Sequence, residues 1–333
     1  MIGHRMPECV DLFASIQGKI RQVFYTEKRV YVNASSGTGL QEAAVRNCTD
    51  KKVLNCINGA FSQRWHEVTV GNGKAHETLE VEWGQPILPE QVVERLAGGE
   101  FDAVTIVHNE TSTGVVSPIQ EIAQAIRALP HGEEIMILID SVSGLSGARL
   151  EFDAWDLDVV LTSSQKAFAL PAGLAFCAVS DRAFAKAQTV AHRGYYFDFV
   201  DLEKYLLRNQ TPATPAISLM YALDVQLDDM LAEGIENRFA RHLAMRDQTI
   251  AWAKERGFTL FGHIDYASPT VTCLNNDRGI DIGALNKHLR QHGMIISNGY
   301  GVLKGKNFRI AHMGDTQPAE MDELFAAIDK FLM

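Results

Sequence analysis

Short apolar runs alternate with amphipathic stretches along the first two-thirds of this chain. Val30-Tyr-Val-Asn33, Lys52 to Ile57, Ala103 to His108, Glu134 to Asp140, Trp155 to Thr162 and Gly173 to Val179 read as buried strands, being rich in β-branched residues and closed by glycine or polar clusters. Helical spacing appears between them. Val10, Phe13 and Ile16 mark an N-terminal helix, Leu40 to Asn47 a second, the residues after Phe61 a third, and Pro118 to Ala128 a crossover. Pro215 opens a long helix, and a smaller C-terminal domain is expected from Gly234, dividing the chain into 1–233 and 234–333. In that domain Phe239, Leu243, Ile250 and Ala253 suggest one helix face, with strands near Phe258 and around Thr270 to Leu274. A helix from Ile282 to His292, the segment Met294-Ile-Ile, a strand Phe308 to His312 and a helix Met321 to Leu332 complete it; Leu324, Phe325, Ile328 and Leu332 are the last helix's apolar stripe.

Strand and helix in alternation predict an α/β sheet with helices on both faces. Composition adds bounds. The chain has 333 residues, 46% of them hydrophobic and 22% charged, enough for two domains with a substantial core. A formal net charge of -10 argues against nucleic acid or an anionic membrane as partner. Five scattered cysteines, Cys9, Cys48, Cys56, Cys177 and Cys273, suggest neither a disulfide framework nor a zinc knuckle, so a reducing cytoplasm is expected. No apolar run is long enough to span a bilayer.

Chemistry gathers at strand ends. Ile137-Leu-Ile-Asp140 stops at a carboxylate, and Asp158-Val-Val-Leu-Thr-Ser-Ser-Gln-Lys166 stops at an amine. Taken singly, Asp140 suits a turn cap and Lys166 a solvated surface lysine. Taken together at the carboxyl edge of one sheet, where open α/β folds bind ligands, they suit pyridoxal 5′-phosphate. Lys166 would hold the aldehyde as a Schiff base, and Asp140 would keep the pyridine nitrogen protonated. Ser163-x-x-Lys166 also matches a serine-nucleophile pattern, but its companion Ser-Asp-Asn and Lys-Thr-Gly segments are missing. Ala34-Ser-Ser36-Gly37-Thr38-Gly39 between a strand and a helix is a phosphate-binding turn. The dinucleotide reading of Gly37-x-Gly39 fails because Glu42 stands where the third glycine belongs. Eleven histidines show no metal-ligand spacing, so no metal is expected, and His108 at a strand end reads as a packed residue. Arg309, between apolar neighbours in a strand, suits either a surface position or a carboxylate fork.

The stretches Leu138-Ile-Asp140-Ser-Val142-Ser-Gly-Leu-Ser-Gly, Asp158-Val-Val-Leu-Thr-Ser-Ser-Gln165-Lys166-Ala and Leu170-Pro-Ala-Gly173-Leu-Ala closely resemble the class V aminotransferases, within them the alanine–glyoxylate and serine–pyruvate group. The interval of 26 positions from Asp140 to Lys166 fits that pattern, and the resemblance runs from about Gly3 to the C-terminus. It implies fold type I: a large domain with a mostly parallel seven-stranded sheet and a smaller C-terminal α/β domain. It also implies that Ser36, Gly37 and Thr38 cradle the cofactor phosphate, that Phe61 stacks on the ring, and that Thr111 bonds its phenolic oxygen. Val142 and Gln165 would complete the cofactor contacts with Asp140 and Lys166. Arg309 would fork onto the substrate α-carboxylate, and Thr214 would reach across a homodimer to the neighbour's phosphate.

The activity implied is transfer of an amino group from alanine or serine to glyoxylate or pyruvate. His4 and Arg5 resemble a pair that binds substrate phosphate in phosphoserine aminotransferases, which keeps phosphoserine with 2-oxoglutarate as the alternative. A cysteine-desulfurase-type lyase is weaker, because Cys273 falls in an expected buried strand. Members of the family carry a leader before the Gly-His-Arg segment that helps line the substrate site. Its lack here leaves open a catalytically silent relative of the fold.

Overall fold

The computed structural model describes residues 3–333. Seven strands form the main sheet: β1 (Arg29–Ala34), β2 (Val53–Ile57), β3 (His76–Glu80), β4 (Ala103–Val107), β5 (Met136–Asp140), β6 (Val159–Ser163) and β7 (Leu174–Val179). Their spatial order is β1-β7-β6-β5-β4-β2-β3. From β3 to β6 every pairing is parallel, while β7 runs against both β6 and β1. Every residue of β2, β4, β5, β6 and β7 is buried, which explains their continuous apolar character: a parallel sheet covered on both faces leaves no strand side for water.

The covering helices are α1 (Pro7–Phe24), α2 (Gly37–Cys48), α3 (Ala60–Gly71), α4 (Pro89–Leu96), α5 (Ile119–Arg127), α6 (Asp181–Thr189), α7 (Phe199–Leu206) and α8 (Ile217–Glu233). After them come α9 (Ile235–Glu255), α10 (Ile282–Leu289) and α11 (Pro318–Leu332), packed on a three-stranded antiparallel sheet of β8 (Val271–Asn275), β9 (Ser297–Asn298) and β10 (Asn307–Ala311) in the order β8-β10-β9. The apolar interior falls into two clusters. One runs from Leu12 to Met230 around the large sheet, and the other from Met245 to Ile328 around the small one.

Several expectations are corrected. Phe258 is not in a strand: Gly257 turns the chain with a φ of +76°, and only Leu260 bridges to Leu274, while the Phe258 ring packs on Trp252 and Phe308. The buried face of α9 is Phe239, His242, Met245, Thr249 and Trp252, with Leu243 38% exposed, because a buried histidine and threonine break the apolar pattern. The residues from Trp155 make a turn, and the strand begins only at Val159. The last turn of the expected 282–292 helix is 3-10 from Arg290 to His292, and a short strand follows at Ser297, past Met294-Ile-Ile.

Register sets the functional geometry. Asp140 pairs with Val107 on one side and Leu161 on the other, so the carboxyl ends of β4, β5 and β6 finish side by side. The loops leaving them open toward one hollow.

Candidate active site

That hollow is a cavity of about 230 Å³ lined by Ser36, Gly37, Thr38, Gln41, Phe61, Arg64, Val107, Asn109, Thr111, Asp140, Val142, Ser143, Gln165 and Lys166. Asp140 enters from the end of β5 and is buried. Its Oδ1 accepts from the Val142 amide at 2.8 Å and its Oδ2 from Gln41 Nε2 at 2.6 Å. Burial pushes its pKa up to about 6, against the opposing pull of those two hydrogen bonds. Lys166 stands in the turn after β6. Burial, and then the positive charge of Arg309, hold its amine below the ordinary lysine range, with Asp140 pulling the other way. A carboxylate and a partly desolvated amine therefore share one compartment.

The N-terminus of α2 supplies an anion cradle. Ser36 is the N-cap but spends no side-chain hydrogen bond on capping, and the first amides of a helix have no intrahelical acceptor. A Cβ on Gly37 would come within 2.4 Å of Val142 Cγ2, so this close approach admits only glycine. The Ser163 hydroxyl, buried and without a partner, lies 3.8 Å from the same point. Free amides, an idle hydroxyl and a cleared backbone fit a phosphate. The adjoining carboxylate, amine and aromatic ring fit a planar aldehyde with a basic ring nitrogen.

Phe61 is set by a residue that motif reading passed over. Glu110, fully buried, accepts from the backbone amides of Phe61 and Ser62 at the start of α3 at 3.1 and 2.9 Å and from the hydroxyl of Ser112 at 2.6 Å. A carboxylate there complements the helix dipole as well as the orphan amides. Thr111 donates its hydroxyl to Ser143 at 2.6 Å, and Ser143 in turn donates to the Asn109 carbonyl at 2.9 Å, which orients Thr111 at the cavity wall.

Arg309 projects from β10 at the rim. It donates to the carbonyls of Asn298 at 3.1 Å and Thr111 at 3.2 Å, and no carboxylate pairs with it among the described residues. Tyr300 lies under its guanidinium at 5.8 Å and accepts from Arg64 Nη2 at 2.6 Å, so small and large domains touch across the cavity mouth. Arg64 and Tyr300 were not singled out from the sequence, because neither sits in a recognisable motif.

The remaining candidates lie elsewhere in the chain. Thr214 and His4 line a separate apolar groove with Pro215, Ile217 and Tyr221, and Arg5 donates to Gln210 and to the Pro212 carbonyl. His108 bonds the Ser141 hydroxyl at 2.9 Å, and burial lowers its pKa to about 4, so it stays neutral and structural. Burial pushes the Cys273 thiol up to about 12, which leaves it poorly nucleophilic.

An amine, a carboxylate and an anion cradle at the carboxyl edge of an α/β sheet define the site of a group-transfer enzyme. The family profile described as aminotransferase class-V matches residues 2–312. The chain is 35% identical to an uncharacterized aminotransferase of Methanocaldococcus jannaschii, over 99% of this chain and 86% of the relative. It is 32% identical to a serine–glyoxylate aminotransferase of Methylorubrum extorquens, over 94% of this chain and 80% of the relative. The crystal structure of an alanine–glyoxylate aminotransferase from Nostoc sp. superposes with a TM-score of 0.92 at 28% identity, covering 100% of this chain and 89% of that one. The chain belongs to the class-V aminotransferases and is a transaminase.

Proposed function

We propose that this transaminase binds pyridoxal 5′-phosphate and moves an amino group from alanine or serine to glyoxylate or pyruvate. The observation that carries the reading is the convergence of Asp140 and Lys166 on one cavity with an unpaired Arg309 at its rim. Serine–glyoxylate and alanine–glyoxylate relatives and the small cavity support a small donor. The cofactor, when bound, supplies an aldehyde that exchanges the amino group and a ring that draws electrons from the substrate α-carbon.

Every other task falls to the chain. Ser36, Gly37 and Thr38 hold the phosphate, Phe61 keeps the ring flat, and Asp140 retains a proton on its nitrogen. Arg309 presents two parallel N–H groups to the α-carboxylate and so fixes which α-carbon bond faces Lys166. Lys166, whose amine gives up its proton more readily than a free lysine, would take the substrate α-proton and carry it across the face of the bound group. We infer a homodimer from the apolar groove at Thr214 and from Val225, 60% exposed on α8.

The test is a donor and acceptor panel with purified enzyme. Glyoxylate should yield glycine in equal amounts with pyruvate from alanine, or with hydroxypyruvate from serine. Faster turnover of phosphoserine with 2-oxoglutarate would replace this substrate assignment. Arg309→Lys should raise KM and lower kcat/KM by about tenfold to a hundredfold, because an ammonium cannot reproduce the fork.

A further inference from the structure

We propose that Gln41 is a positioning residue for Asp140: its amide N–H holds Oδ2 as an ionised acceptor aimed into the cavity and so sets the pH range over which the chain retains a pyridinium. The inference rests on the cofactor reading above. Gln41 stands one turn into α2, immediately after the phosphate cradle, and is 2% exposed. Trp65 Nε1 donates to its carbonyl at 3.1 Å, fixing that turn between α2 and α3. Its side chain crosses to β5, where Nε2 meets Asp140 Oδ2 at 2.6 Å.

Asp140 has few supports. Its hydrogen bonds come from two neutral donors, the Val142 amide on Oδ1 and Gln41 on Oδ2, and no lysine or arginine is within ion-pair distance among the described residues. Charged groups face it from three other elements. Arg64 on α3 favours the ionised form, Glu110 in the loop after β4 opposes it, and the Lys166 amine stands across the cavity. With burial working against the charge, each neutral donor carries a large share of what keeps the acid ionised.

Gln41 Oε1 has no partner, although it is buried. Turning the amide over would set that oxygen against the lone pairs of a carboxylate, so the N–H points to Asp140 while Asp140 is charged. An idle acceptor beside a short donor bond shows which end of the amide the site uses. An apolar side chain of the same length would fill the space and leave Oδ2 without its donor.

Gln41→Met removes the donor and keeps the volume. Gln41→Glu keeps the shape but offers a second carboxyl, and two adjacent carboxyls share one proton. Cofactor-free protein is titrated with pyridoxal 5′-phosphate by fluorescence quenching across a pH series. Wild-type affinity should be level above neutrality and weaken as pH falls through about 6. In Gln41→Met that weakening should begin about one pH unit higher, giving roughly threefold weaker binding near pH 6.5, approaching tenfold below about pH 5.5, and convergence with wild type in alkali. Gln41→Glu should move it further.

A loss of affinity equal at every pH, or no change, would overturn the proposal. A second readout needs no cofactor. Unfolding free energy followed against pH should show the Asp140 ionisation step displaced upward in Gln41→Met and missing in Asp140→Asn with or without the second change. An undisplaced step would equally overturn the role. If wild-type protein binds no pyridoxal 5′-phosphate at any pH, the cofactor reading fails, and the unfolding series still decides what Gln41 does.

Discussion

Asp140 is an acid under strain of burial. An unfolded chain leaves its carboxyl at the ordinary value of 3.8, whereas the folded cofactor-free site raises it to about 6, so between these values the folded state binds a proton that the unfolded state has released. The corresponding stability is complete below about pH 4 and is lost as pH rises through 6, amounting to about 3 kcal/mol. Denaturant unfolding of cofactor-free protein at several pH values should record that fall, and Asp140→Asn should flatten it. An equal fall in the variant would place the titration elsewhere. Asp140 and Lys166 were legible in the sequence because each ends an apolar run, and a polar group that ends a buried strand has few places to go. Gln41 was not legible: a glutamine among Leu40, Glu42 and Ala43 reads as an ordinary helix residue until β5 is seen to finish beneath α2. Arg309 was legible only through its motif, since alternation alone favours a solvent-facing or salt-bridged arginine.

At the scale of elements, α3 shows how a site residue is placed from a distance. Its first amides bond to Glu110, which lies 49 residues further along, and a Cβ on Gly59 would come within 2.4 Å of that carboxylate's side chain. The Phe61 ring therefore stands where a buried acid anchors its helix. Glu110→Ala should destabilise the fold by about 2 kcal/mol or more in urea and weaken cofactor binding besides, because buried amides lose a charged acceptor. A variant as stable as wild type would deny Glu110 that role. Local sequence around Asn109 to Gly114 could not reveal that one of its side chains, Glu110, serves a helix elsewhere. Helices with clean apolar stripes, such as α5 and α11, were legible to within a residue or a few. α9 departs from the expected stripe where His242 and Thr249 occupy its buried face, His242 Nδ1 and the Thr249 hydroxyl bonded to backbone carbonyls one turn earlier.

At the scale of the whole molecule, the cavity mouth lies between the two apolar clusters, with Arg309 of the small sheet and Tyr300 of the loop beside it reaching toward Thr111 and Arg64. The groove beside Thr214 and the exposed Tyr221 and Val225 on α8 are on another face, and no pattern in the sequence marked that face as apolar. Tyr221→Glu combined with Val225→Glu should convert a homodimer to monomer in sedimentation and lower activity with it. A double variant that keeps both the dimer mass and the rate would move the interface elsewhere. The α/β architecture could be read from the alternation of strand and helix; the reversal of β7 came from no local signal, since direction is decided by the connection and not by the strand's own residues.

One amine, Lys166, is proposed to hold the cofactor. Protein incubated with pyridoxal 5′-phosphate, reduced with borohydride, digested and read by mass spectrometry should carry a single phosphopyridoxyl group on the peptide containing Lys166, and Lys166→Ala should carry none. A label on another lysine, or no label on the wild-type chain, would contradict the account.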